Sequence, residues 1–128
     1  IKKIAEQTEK LHNNGLNHRD YYICHYLLRL NDSFGNIKST ELELDHELDY
    51  VANNIYLIDL HRMQIREHVP NRYVIKDLSG LLFSIKNYNF TKTDYLRFIK
   101  YYKAVDYKQQ SKLWSKVITK ANTLREKA

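Results

Sequence analysis

Between Gly35 and Pro70 the chain contains neither glycine nor proline. A stretch of that length has no easy place to reverse direction. Within it Leu44, Leu48, Val51, Ile55 and Ile58 follow in steps of four and three, and Ile65 resumes the series after Arg62. That spacing lays one apolar stripe along a helix. Thr40, with Glu43 three residues later, supplies a capping-box start. The pattern predicts one long helix over roughly 40–66, about 40 Å from end to end. The rival reading breaks it near Asn53–Asn54 into a helix-turn-helix, since Asn caps helices.

Three glycines and one proline in 128 residues favour helices over many short strands. "IKKIAEQTEKLH" reads as a first helix through Ile1, Ile4, Thr8 and Leu11, with Gly15 as a left-handed stop. "HRDYYICHYLLRL" reads as a second, largely buried helix through Tyr26, Leu27 and Leu30. Pro70 and Asn71 make a turn, and the β-branched pair Val74–Ile75 suggests extended chain and a short hairpin near 64–76. "LSGLLFSIKNYN" is expected to be a short helix buried through Leu81, Leu82 and Ile85. Thr91 and Asp94 form a second capping-box spacing ahead of a helical region over 93–126, interrupted near 106–110. The expected fold is mainly α: a single domain over 1–128, a bundle of about five to six helices around the 40–66 helix. A winged-helix-like arrangement is the second choice.

The length suits one domain with a real core. Cys24 is the single cysteine, which excludes a disulfide within the chain and suggests a reducing, cytoplasmic setting. No run of eighteen apolar residues is present, so no membrane span is expected, and Ile1 opens no signal-peptide pattern. The lack of an initiator Met suggests an excised or trimmed chain.

The formal charge of +6 is unevenly placed. Residues 1–40 carry +2, residues 41–68 carry −5 and residues 69–128 carry +9. The last zone suggests a polyanionic partner. "DYLRFIKYYKAVDYKQQSKLWSKV", residues 94–117, interleaves basic and aromatic side chains. A helical wheel sets Arg97, Lys100, Lys108, Lys112 and Lys116 broadly on one side with Tyr101 among them. These six are the candidate nucleic-acid contacts: the cations for phosphates, Tyr101 for stacking, DNA being the favoured ligand. The plainer account is a solvated lysine face opposite a core face. A second reading pairs the acidic 41–68 zone with the basic 69–128 zone, within a chain or across a homodimer, as a protein-interaction module.

Chemistry is sparsely signalled. Glu43 and His46 make one Glu-x-x-His step, but a di-iron bundle needs a second copy, so no metal is expected. Cys24 and His25 are neighbours and would point about 100° apart on a helix, so Cys24 reads as a small core residue. No Gly-rich dinucleotide loop, P-loop or serine elbow is present. The expectation is a small regulatory or nucleic-acid-binding protein that needs no cofactor and is not an enzyme.

Two family resemblances bear on this reading. Arg62 and His68, separated by five residues in "RMQIREH", resemble the Arg-x(4–6)-His element of HEPN-type ribonucleases. That resemblance implies that Arg62 stabilises phosphate charge and His68 serves proton transfer or phosphate contact. Met63 stands where that family usually carries a polar residue. The order of "STELELDHEL", "ANNIYLIDLHRM" and "QIREHVPNRYVIKDL" before long C-terminal helices resembles a MarR/SarA-type winged helix. That implies a recognition helix at 53–63, Arg66 and Arg72 on a wing, and dimerisation through 93–126.

Overall fold

The computed structural model describes residues 1–30, 33–36, 55–102 and 107–128. Helix α1, Lys2–Asn13, buries Ile4, Ala5, Thr8 and His12, one face of a 3.6-residue repeat. It ends at Asn14, whose side-chain amide donates to the Lys10 carbonyl at 2.6 Å. Gly15 follows with φ +78°, and a Cβ there would lie 1.7 Å from the Arg66 carbonyl oxygen. Only glycine fits both the left-handed backbone and that approach.

The close approach belongs to a two-stranded sheet. β1, Leu16–Asn17, pairs antiparallel with β5, Gln64–Ile65, in the register Leu16↔Ile65 and Asn17↔Gln64. A second antiparallel sheet has β2, Tyr26–Leu30, between β3, Ser33–Asn36, and β4, Ile55–Leu57. A single 3-10 turn, Ile23–His25, precedes β2.

Three helices follow among the described residues. α2, Asn71–Ser84, starts after Pro70 and buries Val74, Leu78 and Leu81, with Ile85 continuing the stripe. α3, Lys92–Tyr101, opens on a complete capping box between Thr91 and Asp94. α4, Tyr107–Lys127, packs on α2, where the buried Ser79 hydroxyl donates to the Val117 carbonyl at 3.3 Å. One core cluster joins Ile4, Tyr21, Ile23, Tyr26, Leu81 and Ile85. The other joins Ala5, Val74, Leu78, Tyr102, Leu113, Trp114 and Val117.

The expected all-helical bundle is therefore corrected to helices with two small sheets. Residues 41–54 of the expected 40–66 helix, with the capping pair Thr40–Glu43 and the Glu43–His46 step, lie outside the described residues. Its distal part is not helical: Ile55 and Leu57 pack on the first cluster while Tyr56 faces out, a strand period in a β-branched and aromatic run. The second expected helix is instead a loop, the 3-10 turn and β2. The hairpin expected over 64–76 does not form: β5 pairs with β1, and the chain from Asn71 onward is helical. Val74 and Ile75 sit in α2, because burial of Val74, Leu78 and Leu81 at helical spacing outweighs their β preference. The winged-helix arrangement is overturned as well, since residues 55–57 of its recognition helix form a central sheet's edge partner. Of the interruption expected near 106–110, residues 107–110 are instead helical, in α4, while α3 ends at Tyr101 and residues 103–106 lie outside the described residues.

Candidate active site

The loop from His18 to His25 meets the segment from Ile58 to Arg62, and the loop is fixed from below by Asp77 on α2. Asp77 is 2% exposed. Its Oδ2 accepts from the His18 backbone N–H at 2.9 Å and from His12 Nε2 at 3.0 Å, and its Oδ1 accepts from the Arg19 N–H at 3.0 Å. Three donors to one buried carboxylate compensate its removal from water. They also hold Arg19 at φ +77°, a left-handed conformation that costs a side-chain-bearing residue about 1–3 kcal/mol. Backbone strain of this kind is concentrated at functional sites. Because the Asp77 carboxylate is an acceptor, His12 Nε2 is the donor, and His12 Nδ1 lies 2.6 Å from the Tyr102 hydroxyl. Burial, then the charge of Asp77, raises the Tyr102 phenol well above its ordinary range.

The His18 ring is fully buried, and its Nε2 lies 2.9 Å from the Ile58 carbonyl. A carbonyl only accepts, so Nε2 carries the proton. This bond ties the loop before Asp20 to the residue before Asp59. Tyr21 and Tyr26 pack beneath the loop, hydroxyl to hydroxyl, and Tyr21 also bonds Thr8 of α1. Burial drives both phenols above their ordinary range.

Above this base lie the polar groups that face outward. Arg62 Nη1 donates to Asp20 Oδ1 at 2.7 Å. Asp59 takes φ +62°, a conformation Asp tolerates better than most residues. Its carboxylate contacts His61 Nδ1 through one oxygen and lies 3.3 Å from His25 Nε2 through the other. His25 Nδ1 lies 2.7 Å from the Asp20 carbonyl and so donates there. A neutral His25 then turns the lone pair of Nε2 toward the Asp59 carboxylate. Those two atoms attract only through a cation, either a proton on Nε2 or a metal ion. Among the described residues no group of three or more His, Cys, Asp or Glu side chains forms a complete metal site. A magnesium-like ion needs fewer, since it is commonly held by one or two carboxylates together with phosphates and water. Asp59 fits that partial role as the carboxylate, with His25 beside it. The cluster thus offers a carboxylate beside an arginine, and a cation-holding aspartate next to it.

The residues expected to contact nucleic acid lie elsewhere. Arg97 donates to Asp94 of its own helix at 3.3 Å. The Lys100 and Lys2 ammonium groups sit 5.5 and 5.2 Å from the Tyr101 ring centroid, and Tyr101 packs on the second core cluster. Lys112 and Lys116 are exposed on α4, and Lys108 is on the same helix. The neighbouring aromatics are core: Trp114 meets Tyr95, Phe98 and Tyr102 edge-on at 5.7–5.8 Å. Arg62 and His68 do not converge as a ribonuclease pair, because Arg62 bonds Asp20 and His68 is exposed. Cys24 is exposed and not a core residue.

Comparison with known proteins accounts for this cluster. Residues 1–102 match the model of the lipopolysaccharide kinase (Kdo/WaaP) family. Lipopolysaccharide core heptose(I) kinase WaaP of Escherichia coli is 40% identical over 131 residues, covering 99% of this chain and 44% of that protein. The protein of the same name from strain K12 is 44% identical over 102 residues, covering 80% of this chain and 33% of its own length. The one from Pseudomonas aeruginosa is 34% identical over 102 residues, with the same coverage of 80% and 33%. The solved structure of WaaP in complex with acyl carrier protein superposes with a TM-score of 0.69 at 30% identity, over 96% of this chain and 47% of that one. The chain spans less than half the length of these relatives. These matches overturn the nucleic-acid-binding regulator, the ribonuclease and the interaction-module readings, and they replace the helical bundle and the winged helix with a kinase fold.

A signal for the site was present in the sequence. His18-Arg19-Asp20, with His25 five residues after the aspartate, follows the kinase catalytic-loop pattern His-Arg-Asp with a metal-binding side chain at that spacing. Asp59-Leu60-His61, directly after a strand, stands where kinases carry Asp-Phe-Gly. Sequence reasoning absorbed both segments into helices, searched for Gly-rich loops and missed the pair. The chain belongs to the lipopolysaccharide kinase (Kdo/WaaP) family.

Proposed function

We propose that this chain carries the catalytic loop and the cation-holding aspartate of a kinase that moves the γ-phosphoryl group of ATP to a hydroxyl of a lipopolysaccharide core heptose. The observation that carries the reading is the His18–Ile58 bond, which brings Asp20 and Asp59 into one site. Asp20 accepts the proton of the acceptor hydroxyl. The acceptor oxygen forms its bond to the γ-phosphorus as the bond to the bridging oxygen of ADP breaks, and ADP leaves. Arg62, already on Asp20, supplies positive charge beside the phosphoryl oxygens. Asp59 and His25 would hold a divalent cation, which supplies neutralisation of the nucleotide phosphates when bound. Asp77 keeps the loop backbone in position and touches none of the reacting atoms.

The partner is a protein of the acyl-carrier kind. An open groove of about 360 Å³ between α2, α3 and α4 supports this: Leu82, Phe90 and Ile118 give it an apolar floor, and Lys86, Lys92 and Arg125 line it with charge. An acidic carrier bearing an apolar chain suits both features. A need for ATP would support a reaction on the cytoplasmic side.

The test is phosphate transfer from ATP to lipopolysaccharide core by the protein in its full natural length. Asp20→Asn and Asp59→Asn each lower the rate by about a hundredfold or more, with unchanged circular dichroism. Transfer at wild-type rates in either variant refutes the reading.

A further inference from the structure

Beyond Arg62, two more arginines, Arg66 and Arg72, converge on one ring. The Arg66 guanidinium carbon lies 4.2 Å from the Tyr73 ring centroid, and that of Arg72 lies 4.8 Å from it. Arg72 also points Nη2 at the Tyr73 hydroxyl, at 3.4 Å. Among the described residues neither guanidinium has a carboxylate within ion-pair distance. Two like charges held at one ring repel each other, and an anion between them would relieve that repulsion. The Tyr73 phenol registers the field: both arginines, through hydrogen bonding and charge, lower it from its ordinary value.

Arg66 is oriented rather than loose. Arg66 Nη2 donates to Gln64 Oε1 at 2.7 Å, and the same oxygen accepts from Asn17 Nδ2 at 3.4 Å. Asn17 is the residue before His18, so the chain Asn17–Gln64–Arg66 links the arginine to the start of the catalytic loop. Arg66 Cα is also within about 14 Å of Arg62 Cα, the extended reach of four residues. Arg66, just past β5, therefore ties the doublet to the segment that leaves the Asp59 turn, and Arg72 joins it from the first turn of α2. Guanidinium forks match carboxylate and phosphate oxygens in pairs.

We propose that Arg66 and Arg72, arranged over Tyr73, form an anion subsite that grips a carboxylate or phosphate on the acceptor saccharide and so selects acidic acceptors. This rests on the kinase reading above for the identity of the acceptor. It assigns to the doublet a role separate from phosphoryl transfer, since neither arginine contacts Asp20 or Asp59.

The experiment uses the protein in its full natural length and deacylated lipopolysaccharide core oligosaccharide. Kinetics and nucleotide-free calorimetric binding are measured for the wild type, Arg72→Gln and the double variant R66Q/R72Q. The double variant is expected to raise the acceptor KM and Kd about tenfold or more, as loss of charge-assisted hydrogen bonds does. The loss should fall in KM rather than kcat, and the ATP KM should stay within about twofold. Arg72→Gln alone, an exposed change, shows part of the effect even if the double variant unfolds. Methyl esterification of the oligosaccharide reproduces the loss in the wild type, and adds nothing in the variant, if the anion is a carboxylate. Phosphatase treatment does so if it is a phosphate. The proposal is overturned if acceptor Kd is unchanged in the variants, if ATP KM rises in step, or if neither treatment weakens wild-type binding. A wild type that binds the acidic oligosaccharide through these arginines but transfers no phosphate would sink the kinase reading alone.

Discussion

Arg62 Nη1 lies 2.7 Å from Asp20 Oδ1, so the arginine that follows the Asp59 turn is bonded to the carboxylate of the catalytic loop. The arginine side chain is 43% exposed and the aspartate 17%. An ion pair that open to water adds about 0–1 kcal/mol to stability. Its consequence is therefore expected in catalysis. Arg62→Ala should lower kcat about tenfold or more while the melting temperature stays nearly constant. Arg62→Lys keeps the charge but loses the fork, and should recover only part of the rate. A kcat for Arg62→Ala equal to wild type would remove the arginine from the reaction.

The largest loss of stability is expected at Asp77. Removing its carboxylate strands the His18 and Arg19 N–H groups and His12 Nε2, all of which it bonds within 3.0 Å. It also withdraws the support that keeps Arg19 at φ +77°. Breaking one side of such a buried, bonded pair costs about 3–5 kcal/mol. Asp77→Ala should therefore show that drop in urea unfolding, and transfer activity should fall with it. Loss of less than about 1 kcal/mol would show that the loop is held by something else.

How far all this could be read in advance differs by element. α1, the Thr91–Asp94 capping box and the helix through Leu81, Leu82 and Ile85 were legible, because their signals are local and repeat every three to four residues. The conformation of the 18–25 loop was not, although its His-Arg-Asp motif was. "HRDYYICHYLLRL" spaces its apolar residues as a helix would, and the group that makes it a loop, Asp77, is 58 positions from Arg19. No window of sequence contains both. β4 was obscured differently: Ile55 and Ile58 fit a helical stripe, and pairing with Leu28 and Tyr26 in β2 decides the matter. The basic, tyrosine-rich stretch misled because composition does not say which aromatics face inward. Tyr101, the ring expected to stack, packs on the second core cluster beside Lys2 and Lys100.

A backbone prediction concerns Gly15. Any side chain places its Cβ 1.7 Å from the Arg66 carbonyl oxygen, which is main chain and cannot swing away. The residue also needs φ +78°. Gly15→Ala should separate β1 from β5 and cost about 2 kcal/mol or more. Hydrogen exchange at Arg66 N–H, which bonds the Gly15 carbonyl at 2.8 Å, should accelerate in the variant. Unchanged protection of that amide would contradict the packing described.

Alkaline stability offers a last check, because several phenols are pushed the same way. Burial raises Tyr21, Tyr26 and Tyr102 strongly, and raises Tyr95 to about 12. In the unfolded chain a tyrosine ionises near pH 10. Between that pH and the folded value the unfolded state has released the proton and the native state has kept it. Stability then falls as pH rises, and these groups contribute their full stabilisation only below about pH 10. Unfolding free energy should thus be insensitive to these groups at neutral pH and decline steadily above about pH 10. Phenolate absorbance should rise in two stages, the exposed tyrosines first and the buried ones together with unfolding. Tyr21→Phe removes one such group together with its bonds to Thr8 and Tyr26. It should lower stability at neutral pH and flatten the alkaline decline. A single smooth phenolate titration centred near the ordinary tyrosine value, with the fold intact, would show that the base of the catalytic loop is open to water.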